Sequence, residues 1–305
     1  MKYYGVFDVG GSAIKYALMD ESGQFIEKSS VPTPKEGLDP FLDTMVSLVK
    51  EFERSQKLSG IALSMPGAVD VQTGVIGGIS AIPYIHGPNF KEILHARTGL
   101  PVEMENDANC AGLAEGWIGA AKDVEDFICI VIGTGIGGAL VLNKKIRHGS
   151  NLHGGEFGFM IMEDYLDDQG KIWSELGATK ALAIQAAKLK GVDPDSLDGK
   201  KVFEMADNGD EEVQAVIEKF IKRIAVGIFN LQYAIDPEKI LIGGAISQRA
   251  GLIDQINTAL SDLKGKAHRL TVKVERCKFG NDSNLIGALY HFHQRQISEA
   301  SCIRD

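Results

Sequence analysis

The sequence predicts an α/β protein built from two halves of the same design. The segments Tyr3–Gln24 and Asp126–Gly149 each contain an apolar, β-branched run, a glycine-rich turn, a second such run and a polar turn. β-Branched runs indicate strands, and glycine between two of them indicates a hairpin. Because this unit occurs twice, we expect a duplicated fold in which each half contributes one glycine turn.

The remaining sequence alternates helical periodicity with short apolar runs, as expected for an α/β protein. Outside the two hairpins, the predicted elements are helices at Leu38–Gln56, from Asp107, at Glu211–Ala234 and at Asn284–Gln294, and strands at Ile61–Leu63, Leu100–Glu105 and Lys239–Ile242. We expect a domain boundary at Ala120–Glu125. The first domain would then comprise residues 1–120 with a C-terminal helix at about 284–305, and the second would comprise residues 121–283.

The charge and composition oppose several classes of function. The chain of 305 residues has a formal net charge of −9 and no basic block, which opposes nucleic-acid binding because that affinity depends on Lys and Arg neutralising phosphates. Its four cysteines are scattered without a CxxC pair, so neither a disulfide framework nor a zinc knuckle is indicated. Neither a signal peptide nor a run of about 18 apolar residues occurs, and we therefore expect a cytoplasmic protein without a membrane span.

Two glycine turns, Asp8–Ser12 and Gly133–Gly138, are candidates for phosphate binding. Backbone N–H groups can surround a phosphate where no side chain blocks the approach and where φ can be positive, and glycine meets both conditions. Asp8 adds a carboxylate beside the first turn. Such a group suits Mg²⁺, which prefers one or two carboxylates together with phosphate oxygens. Either turn alone would be interpreted as a simple hairpin turn.

The second turn also fits the GxGxxG pattern through Gly133, Gly135 and Gly138, which raises the alternative of a dinucleotide site. That fingerprint requires a helix to begin at the turn. Here the turn is followed by the apolar β run Ala139–Leu142, so the required helix is missing and an NAD-dependent enzyme is the weaker alternative. The lysine P-loop, GxxxxGK[ST], does not occur.

With these motifs in place, the chain resembles the ROK family of sugar kinases (repressor, open reading frame, kinase), a branch of the actin-like ATP-binding fold. The resemblance covers nearly the whole chain and rests on motifs in a specific order: Asp8–Ser12, Ser64–Gly67, Glu105–Asn109, Gly133–Gly137, Gly154–Gly158, and Asp236–Pro237 leading to Gly243–Gly244. It implies a two-lobed, actin-like ATPase (ribonuclease H-like) fold, with the active-site cleft between the two α/β domains.

The resemblance also implies an ATP-dependent sugar kinase that uses Mg²⁺ and transfers the γ-phosphate of ATP to a hydroxyl of a hexose or β-glucoside, with O6 as the expected acceptor. The implied ATP-binding residues are Asp8, which would also hold Mg²⁺, Gly10, Gly11, Ser12, Lys15, Gly133, Thr134, Gly135, Gly137, Gly243 and Gly244. The implied sugar-binding residues are Pro66, Gly67, Asn106, Asp107 and Glu156.

The Asp of the Asn106–Asp107 pair is the implied general base. It lies between a predicted strand and a predicted helix, where a side chain can project into a cleft. The alternative is that both residues only cap the helix, since Asn and Asp are strong N-cap residues, and the two roles can coexist. A helix N-terminus makes a carboxylate a weaker base, but phosphoryl transfer depends mostly on positioning and charge neutralisation.

The chain departs from the family pattern at two places. Many members have a His where this chain has Phe159, and a Cys-rich zinc loop where it has Glu163–Glu175. The ring of Phe159 could accommodate a substituent on the anomeric carbon, which would indicate a β-glucoside kinase, or it could fill space that the zinc loop leaves. We include Phe159 among the candidate sugar-binding residues. His148 and His153 lie nearby and are interpreted as loop residues.

A sugar-binding sensor without kinase turnover is a further alternative, because some relatives are transcriptional repressors. Those relatives carry a DNA-binding module ahead of the sugar-binding region, whereas seven residues precede Asp8 here. The presence of Asp107 and of both glycine turns favours the kinase. The implied partners are therefore ATP and a sugar, and because family members are often dimers, a homodimer is one option.

We predict that the protein contains no structural zinc, because zinc requires a compact set of N or S ligands and the segment Glu163–Glu175 has no cysteine. Metal analysis of the purified protein is expected to give far less than one zinc ion per chain after dialysis against a chelator. Stoichiometric zinc that resists the chelator would contradict this prediction.

Overall fold

The residues that pack together form two compact units. The computed structural model describes residues 1–163, 171–264 and 273–302. The first unit consists of Met1–Trp117, His148–His153 and Asp282–Asp305, and the second consists of Ile118–Arg147 and Gly154–Asn281. Part of the segment that stands in place of the zinc loop, residues 164–170, lies outside the described residues, as do residues 303–305 of the predicted C-terminal helix.

The first unit contains a five-stranded sheet with the strand order β3-β2-β1-β4-β7. A two-stranded ribbon, β5-β6, lies apart from this sheet. In chain order, its elements up to the second unit are β1 (Tyr3–Val9), β2 (Ala13–Asp20), β3 (Phe25–Pro32), α1 (Leu38–Glu53), β4 (Leu58–Met65), β5 (Ala68–Asp70), β6 (Val75–Gly77), α2 (Phe90–Thr98), β7 (Val102–Asn106) and α3 (Asp107–Ile118).

The second unit contains a sheet of the same size, with the order β10-β9-β8-β11-β12. Its elements are β8 (Phe127–Ile132), β9 (Ile136–Leu142), β10 (Lys145–Ile146), α4 (Trp173–Gly177), α5 (Thr179–Lys190), α6 (Gly199–Asp207), α7 (Glu211–Ile235), β11 (Lys239–Gly243), α8 (Leu252–Lys264) and β12 (Val274–Arg276). The last helix of the chain, α9 (Ser283–Cys302), belongs to the first unit.

Both sheets have the same pairing pattern, which confirms the predicted duplication. β1 is antiparallel to β2 and parallel to β4, and β8 is antiparallel to β9 and parallel to β11. In the segment Asp126–Gly149, the predicted polar turn leads into the edge strand β10, which begins at Lys145. Strands as short as β10 and β12 contain too few residues for a recognisable alternation of polar and apolar side chains.

Each unit has its own apolar core, formed where helices cover a sheet. α1 places its predicted apolar face inward, with Phe41, Leu42, Met45, Leu48, Val49 and Phe52 buried. In the second unit, the fully buried ring of Trp173 packs directly against Gly227 of α7, where a Cβ atom would overlap the ring. Among the helices in the described part of the chain, none combines the length and apolarity needed to cross a membrane.

Two glycines allow α9 to pack closely on the first unit. A Cβ atom at Gly60, on β4, would overlap the ring of Phe292, and a Cβ atom at Gly287 would overlap the backbone carbonyl of Cys110 on α3. The neighbour of Gly287 is backbone rather than a flexible side chain, so it cannot move aside. α3 and α9 can therefore cross at this distance because position 287 is glycine.

We predict that Gly287→Ala destabilises the protein by about 1–3 kcal/mol, the usual cost of overpacking a core. Alanine would otherwise stabilise a helix by about 1 kcal/mol over glycine, so the sign of the change tests the backbone clash. The matched control is Gly77→Ala, where the nearest atoms to the new Cβ are 3.8 Å away. Thermal and urea unfolding measure both variants, and a Gly287→Ala protein as stable as the control would contradict the prediction.

Candidate functional site

The carboxyl ends of three neighbouring strands bring several predicted site residues of the first unit together. Asp8 of β1 lies beside Ser64 of β4, and Ser64 lies beside Glu105 of β7. The residues that follow these positions are the first glycine turn, the Pro66–Gly67 loop and the Asn106–Asp107 pair. Loops at the carboxyl edge of adjacent parallel strands form the usual ligand site of an open α/β sheet.

Asp8 is a buried carboxylate held from three sides. Its Oδ1 accepts hydrogen bonds from Ser64 Oγ at 2.9 Å and from Asn284 Nδ2 at 3.0 Å. Its Oδ2 lies 3.2 Å from Lys15 Nζ on the paired strand β2. Among the described residues, Oδ2 is bonded to Lys15. A single carboxylate oxygen next to a glycine turn fits a Mg²⁺ ion that is otherwise bound by phosphate oxygens and water.

The first glycine turn is fixed by hydrogen bonds at its base. Gly10 N–H donates to Ala13 O at 3.0 Å, and Thr33 Oγ1 donates to Gly10 O at 2.6 Å. Gly11 and Ser12 are exposed. A Cβ atom at Gly11 would lie 2.8 Å from Ala81 Cβ, so the lack of a side chain has a steric reason.

The second glycine turn has the same construction. Gly133 N–H donates to Gly135 O at 2.9 Å, and Thr179 Oγ1 donates to Gly133 O at 2.6 Å. A Cβ atom at Gly133 would have no neighbour within 4 Å, so glycine here leaves open space above the turn. The expectation of positive φ fails, because none of the turn glycines adopts it: Gly10, Gly11, Gly133, Gly135 and Gly137.

Gly244 is the one predicted ATP-binding glycine that does need its backbone conformation. Its φ is +85°, and a Cβ atom would overlap the carbonyl of Ile132, the last residue of β8. The Gly243–Gly244 turn therefore packs directly on the strand that leads into Gly133. Beside it lies a cavity of about 530 Å³, lined by Thr179, Gly199, Phe203, Ala245, Ile246 and Arg249, among others. This volume lies within the range of small-molecule sites.

Sequence reasoning missed Phe203 and Arg249 in this cavity. The Arg249 guanidinium lies 4.3 Å from the centre of the Phe203 ring and donates to both carboxylate oxygens of Asp207. Phe203 lies in α6, Asp207 is the last residue of α6, and Arg249 lies in the segment after β11. The sequence contained no local signal that these three positions meet.

Asn106 caps helix α3, and Asp107 is the first residue of that helix. Asn106 Oδ1 accepts from the N–H of Asn109 at 3.1 Å, and Asn106 Nδ2 donates to Gly67 O at 3.0 Å. Asn106 is thus the N-cap of α3 and ties it to the Pro66–Gly67 loop. Asp107 is the first helical residue, and its Oδ1 accepts from the N–H of Ala108 at 2.8 Å.

Glu105 is fully buried and bonds to both sides of the strand–helix junction. Its Oε1 accepts from Asn106 N–H at 2.8 Å and from Asn109 Nδ2 at 3.0 Å, while its Oε2 lies 2.7 Å from His148 Nε2. His291 Nδ1 lies 3.5 Å from the same oxygen. Burial alone would raise the pKa of Glu105, but the hydrogen bonds from His148 and Asn109 help to outweigh it, so the pKa lies below its ordinary value.

His148 lies in a loop, as the sequence indicated, and its imidazole also bonds to the buried Glu105. Its hydrogen bond to Glu105 raises its pKa above the ordinary value, against the opposing effect of burial. Burial lowers the pKa of His291 to about 4, so His291 is neutral at physiological pH. The His148–Glu105 contact joins residues far apart in sequence, so no local motif predicts it.

The remaining predicted sugar-binding residues belong to the second unit. Glu156 is exposed and directly precedes a short 3₁₀ helix, Phe157–Phe159. Phe159 is 70% exposed, whereas Phe157 is buried. A Cβ atom at Gly158 would overlap the carbonyl of Ile136, so this segment packs tightly against the second glycine turn. Across the described residues, His, Cys, Asp and Glu side chains form no group of three or more suited to a metal ion.

Comparisons with known proteins agree with this architecture. A family model described as the ROK family matches residues 3–295. A β-glucoside kinase of Listeria monocytogenes serovar 1/2a is 36% identical over 292 residues, which cover 95% of this chain and 97% of the relative.

Two solved structures extend the comparison. A ROK family protein from Streptococcus pneumoniae TIGR4 in complex with sucrose has a TM-score of 0.89 and 36% identity, and the match covers 97% of this chain and 99% of that one. A ROK family glucokinase from Streptomyces griseus in complex with glucose and AMPPNP has a TM-score of 0.78 and 25% identity, with coverage of 94% and 98%. These likenesses and the duplicated sheets confirm the predicted actin-like fold, and the chain belongs to the ROK family.

Proposed function

We propose that this ROK-family carbohydrate kinase transfers the γ-phosphate of ATP to O6 of a hexose or β-glucoside, with Asp107 as the general base. The observation that carries the proposal is the group of residues at the strand ends of the first unit. There, Asp8, the Asn106–Gly67 contact and Asp107 occur on three adjacent strands or directly after them.

The relatives support the substrate classes. The relative from Listeria monocytogenes is named a β-glucoside kinase, and the structure from Streptomyces griseus contains glucose together with AMPPNP, an ATP analogue. We therefore propose ATP as the phosphate donor and a sugar as the acceptor. The proposal requires neither nucleic acid nor a membrane, and it places the reaction in the cytoplasm, where ATP is available. A homodimer stays a prediction.

In the proposed reaction, the sugar O6 attacks the γ-phosphorus, the O6–H proton passes to the Asp107 carboxylate, and ADP leaves. Asp8 would hold Mg²⁺ together with phosphate oxygens, and the ion would supply charge neutralisation. Asn106 uses one amide N–H for Gly67 O, so its second N–H can donate to a sugar hydroxyl. The position of Asp107 at the start of α3 favours the ionised carboxylate, the form that accepts a proton.

Phe159 supports a β-glucoside as the sugar. A residue that only filled space left by the zinc loop would be buried, whereas Phe159 is 70% exposed. We propose that Glu156 binds hydroxyls near the anomeric end of the sugar, and an exposed aromatic ring close to Glu156 can pack against an aglycone. We therefore favour the aglycone interpretation of Phe159 over the filler interpretation.

We predict that Asp107→Asn folds normally and lowers kcat by about 10²–10⁴-fold, the range that a positioned general base contributes. The amide keeps the shape of the side chain and can still accept from Ala108 N–H, so the loss reflects proton transfer. ADP formation with saturating ATP and sugar measures kcat, and a thermal melt checks the fold. The matched control is Asp43→Asn, an exposed carboxylate on α1 paired with Arg97, which should keep its rate. Rates near wild type in Asp107→Asn would reject the base assignment.

We also predict turnover on β-linked glucosides such as cellobiose, in an assay of Mg²⁺-dependent ADP formation against free hexoses, N-acetylhexosamines and β-glucosides. The Phe159→Ala variant is expected to raise KM for β-glucosides by several-fold, since it removes the aromatic surface proposed for the aglycone, and to leave KM for ATP unchanged. Activity on free hexoses alone would reject the aglycone role of Phe159. If no sugar in the panel supports ADP formation but sugar binding is measurable, a sugar-binding sensor would be favoured.

A further inference from the structure

The two glycine turns share a feature that the glycines themselves do not explain. At each turn a threonine hydroxyl donates to the carbonyl of the first glycine, Thr33 to Gly10 and Thr179 to Gly133, both at 2.6 Å. The two threonines come from different kinds of element, since Thr33 follows strand β3 and Thr179 is the first residue of helix α5. We propose that Thr33 and Thr179 are matched positioning residues that orient the backbone N–H donors of the two turns toward the phosphates of ATP; this inference rests on the proposed function.

The geometry of the peptide bond connects the threonine to the donor. In a trans peptide, the carbonyl of one residue and the N–H of the next point to opposite sides. The described residues contain no cis peptide bond. A carbonyl held by Thr33 at Gly10 therefore directs the N–H of Gly11 away from Thr33. In the same way, a carbonyl held by Thr179 at Gly133 directs the N–H of Thr134 away from Thr179.

These two N–H groups are also among those that the described structure leaves for a ligand. The N–H of Gly10 is bonded to Ala13 O and that of Gly133 to Gly135 O, so both are used inside their turns. Within the described ranges, the N–H groups of Gly11 and Thr134 have no protein acceptor, and both residues are exposed. An N–H that faces solvent with a fixed direction is suited to an anion, because it needs little reorganisation when the anion binds.

The two threonines differ in one respect that sharpens the test. Gly133 O receives a second bond, from the N–H of Thr179 at 2.9 Å, which a substitution of the side chain keeps. The bond that Gly10 O receives in the described structure comes from the Thr33 hydroxyl. Loss of the hydroxyl should therefore release the first turn more than the second.

The experiment measures ATP binding directly, so that it does not depend on turnover. Isothermal titration of the full chain with Mg²⁺ and AMPPNP compares wild type with Thr33→Val and Thr179→Val, which keep the side-chain shape but lack the hydroxyl. We expect the Kd for AMPPNP to rise about tenfold in Thr33→Val and about threefold in Thr179→Val, in line with the loss of well-directed hydrogen bonds to a charged ligand. KM for the sugar should stay within twofold.

Two controls separate positioning from general stability. Thr44→Val removes a hydroxyl bond to a backbone carbonyl, Pro40 O, on the exposed face of α1 and should leave the Kd unchanged. Thr33→Ser keeps the hydroxyl and should bind AMPPNP like wild type, which also provides a folded variant if Thr33→Val unfolds.

The outcomes distinguish this inference from the proposed function. A wild-type protein that does not bind AMPPNP would reject the proposed function itself. Binding by wild type with an unchanged Kd in Thr33→Val would reject the positioning role alone, as would a Thr33→Ser variant that binds as weakly as a Val variant. A Kd that rises in Thr33→Val and returns in Thr33→Ser supports it.

Discussion

The buried carboxylate of Glu105 is the constraint on which the proposed catalytic junction depends. An ionised carboxyl group without solvent is costly unless hydrogen bonds and an opposite charge compensate it. Glu105 accepts hydrogen bonds from the backbone of Asn106, the side chain of Asn109 and the imidazole of His148. Each partner helps to keep the charge buried. Through Glu105, the end of β7 is joined to the first turn of α3 and to the segment that carries His148. Asp107 lies inside this junction and takes its position from it.

The strand ends of the first unit are rich in negative charge, although the donor they are proposed to meet is a polyanion. Asp8 on β1 and Glu105 on β7 both lie beside Ser64 of β4, the strand between them. Asp107 comes two residues after Glu105. The protein as a whole is also acidic. Attraction from these acidic side chains would therefore not contribute to the proposed binding of ATP. In the proposed complex, a cation at Asp8, Lys15 and backbone N–H groups would provide the affinity, so the direction of those N–H groups would matter more than in a site lined with arginines.

Much of the fold could be predicted because its signals are local. A β-branched run followed by glycines and a second run specifies a hairpin within some twenty residues, and the Asn106–Asp107 pair follows its strand directly in the chain. The partners of these residues could not be predicted. The bonds from His148 to Glu105, from Asn284 to Asp8 and from Thr179 to Gly133 join positions far apart in sequence, and His, Asn and Thr carry no pattern that selects a partner. The φ angles of the turn glycines were also beyond sequence reasoning, because glycine is used for lack of bulk as well as for positive φ.

The packing of α9 on β4, β7 and α3 has a consequence for how the chain acquires its structure during synthesis. The residues of the second unit are nearly continuous in sequence, whereas the first unit is assembled from the beginning of the chain and from its last helix. During synthesis, the face of the first sheet that α9 covers therefore stays exposed until the second unit and α9 have been synthesised. The second unit can complete its core in the meantime. A nascent chain that lacks α9 would expose the apolar surface of β4 that this helix covers in the finished protein.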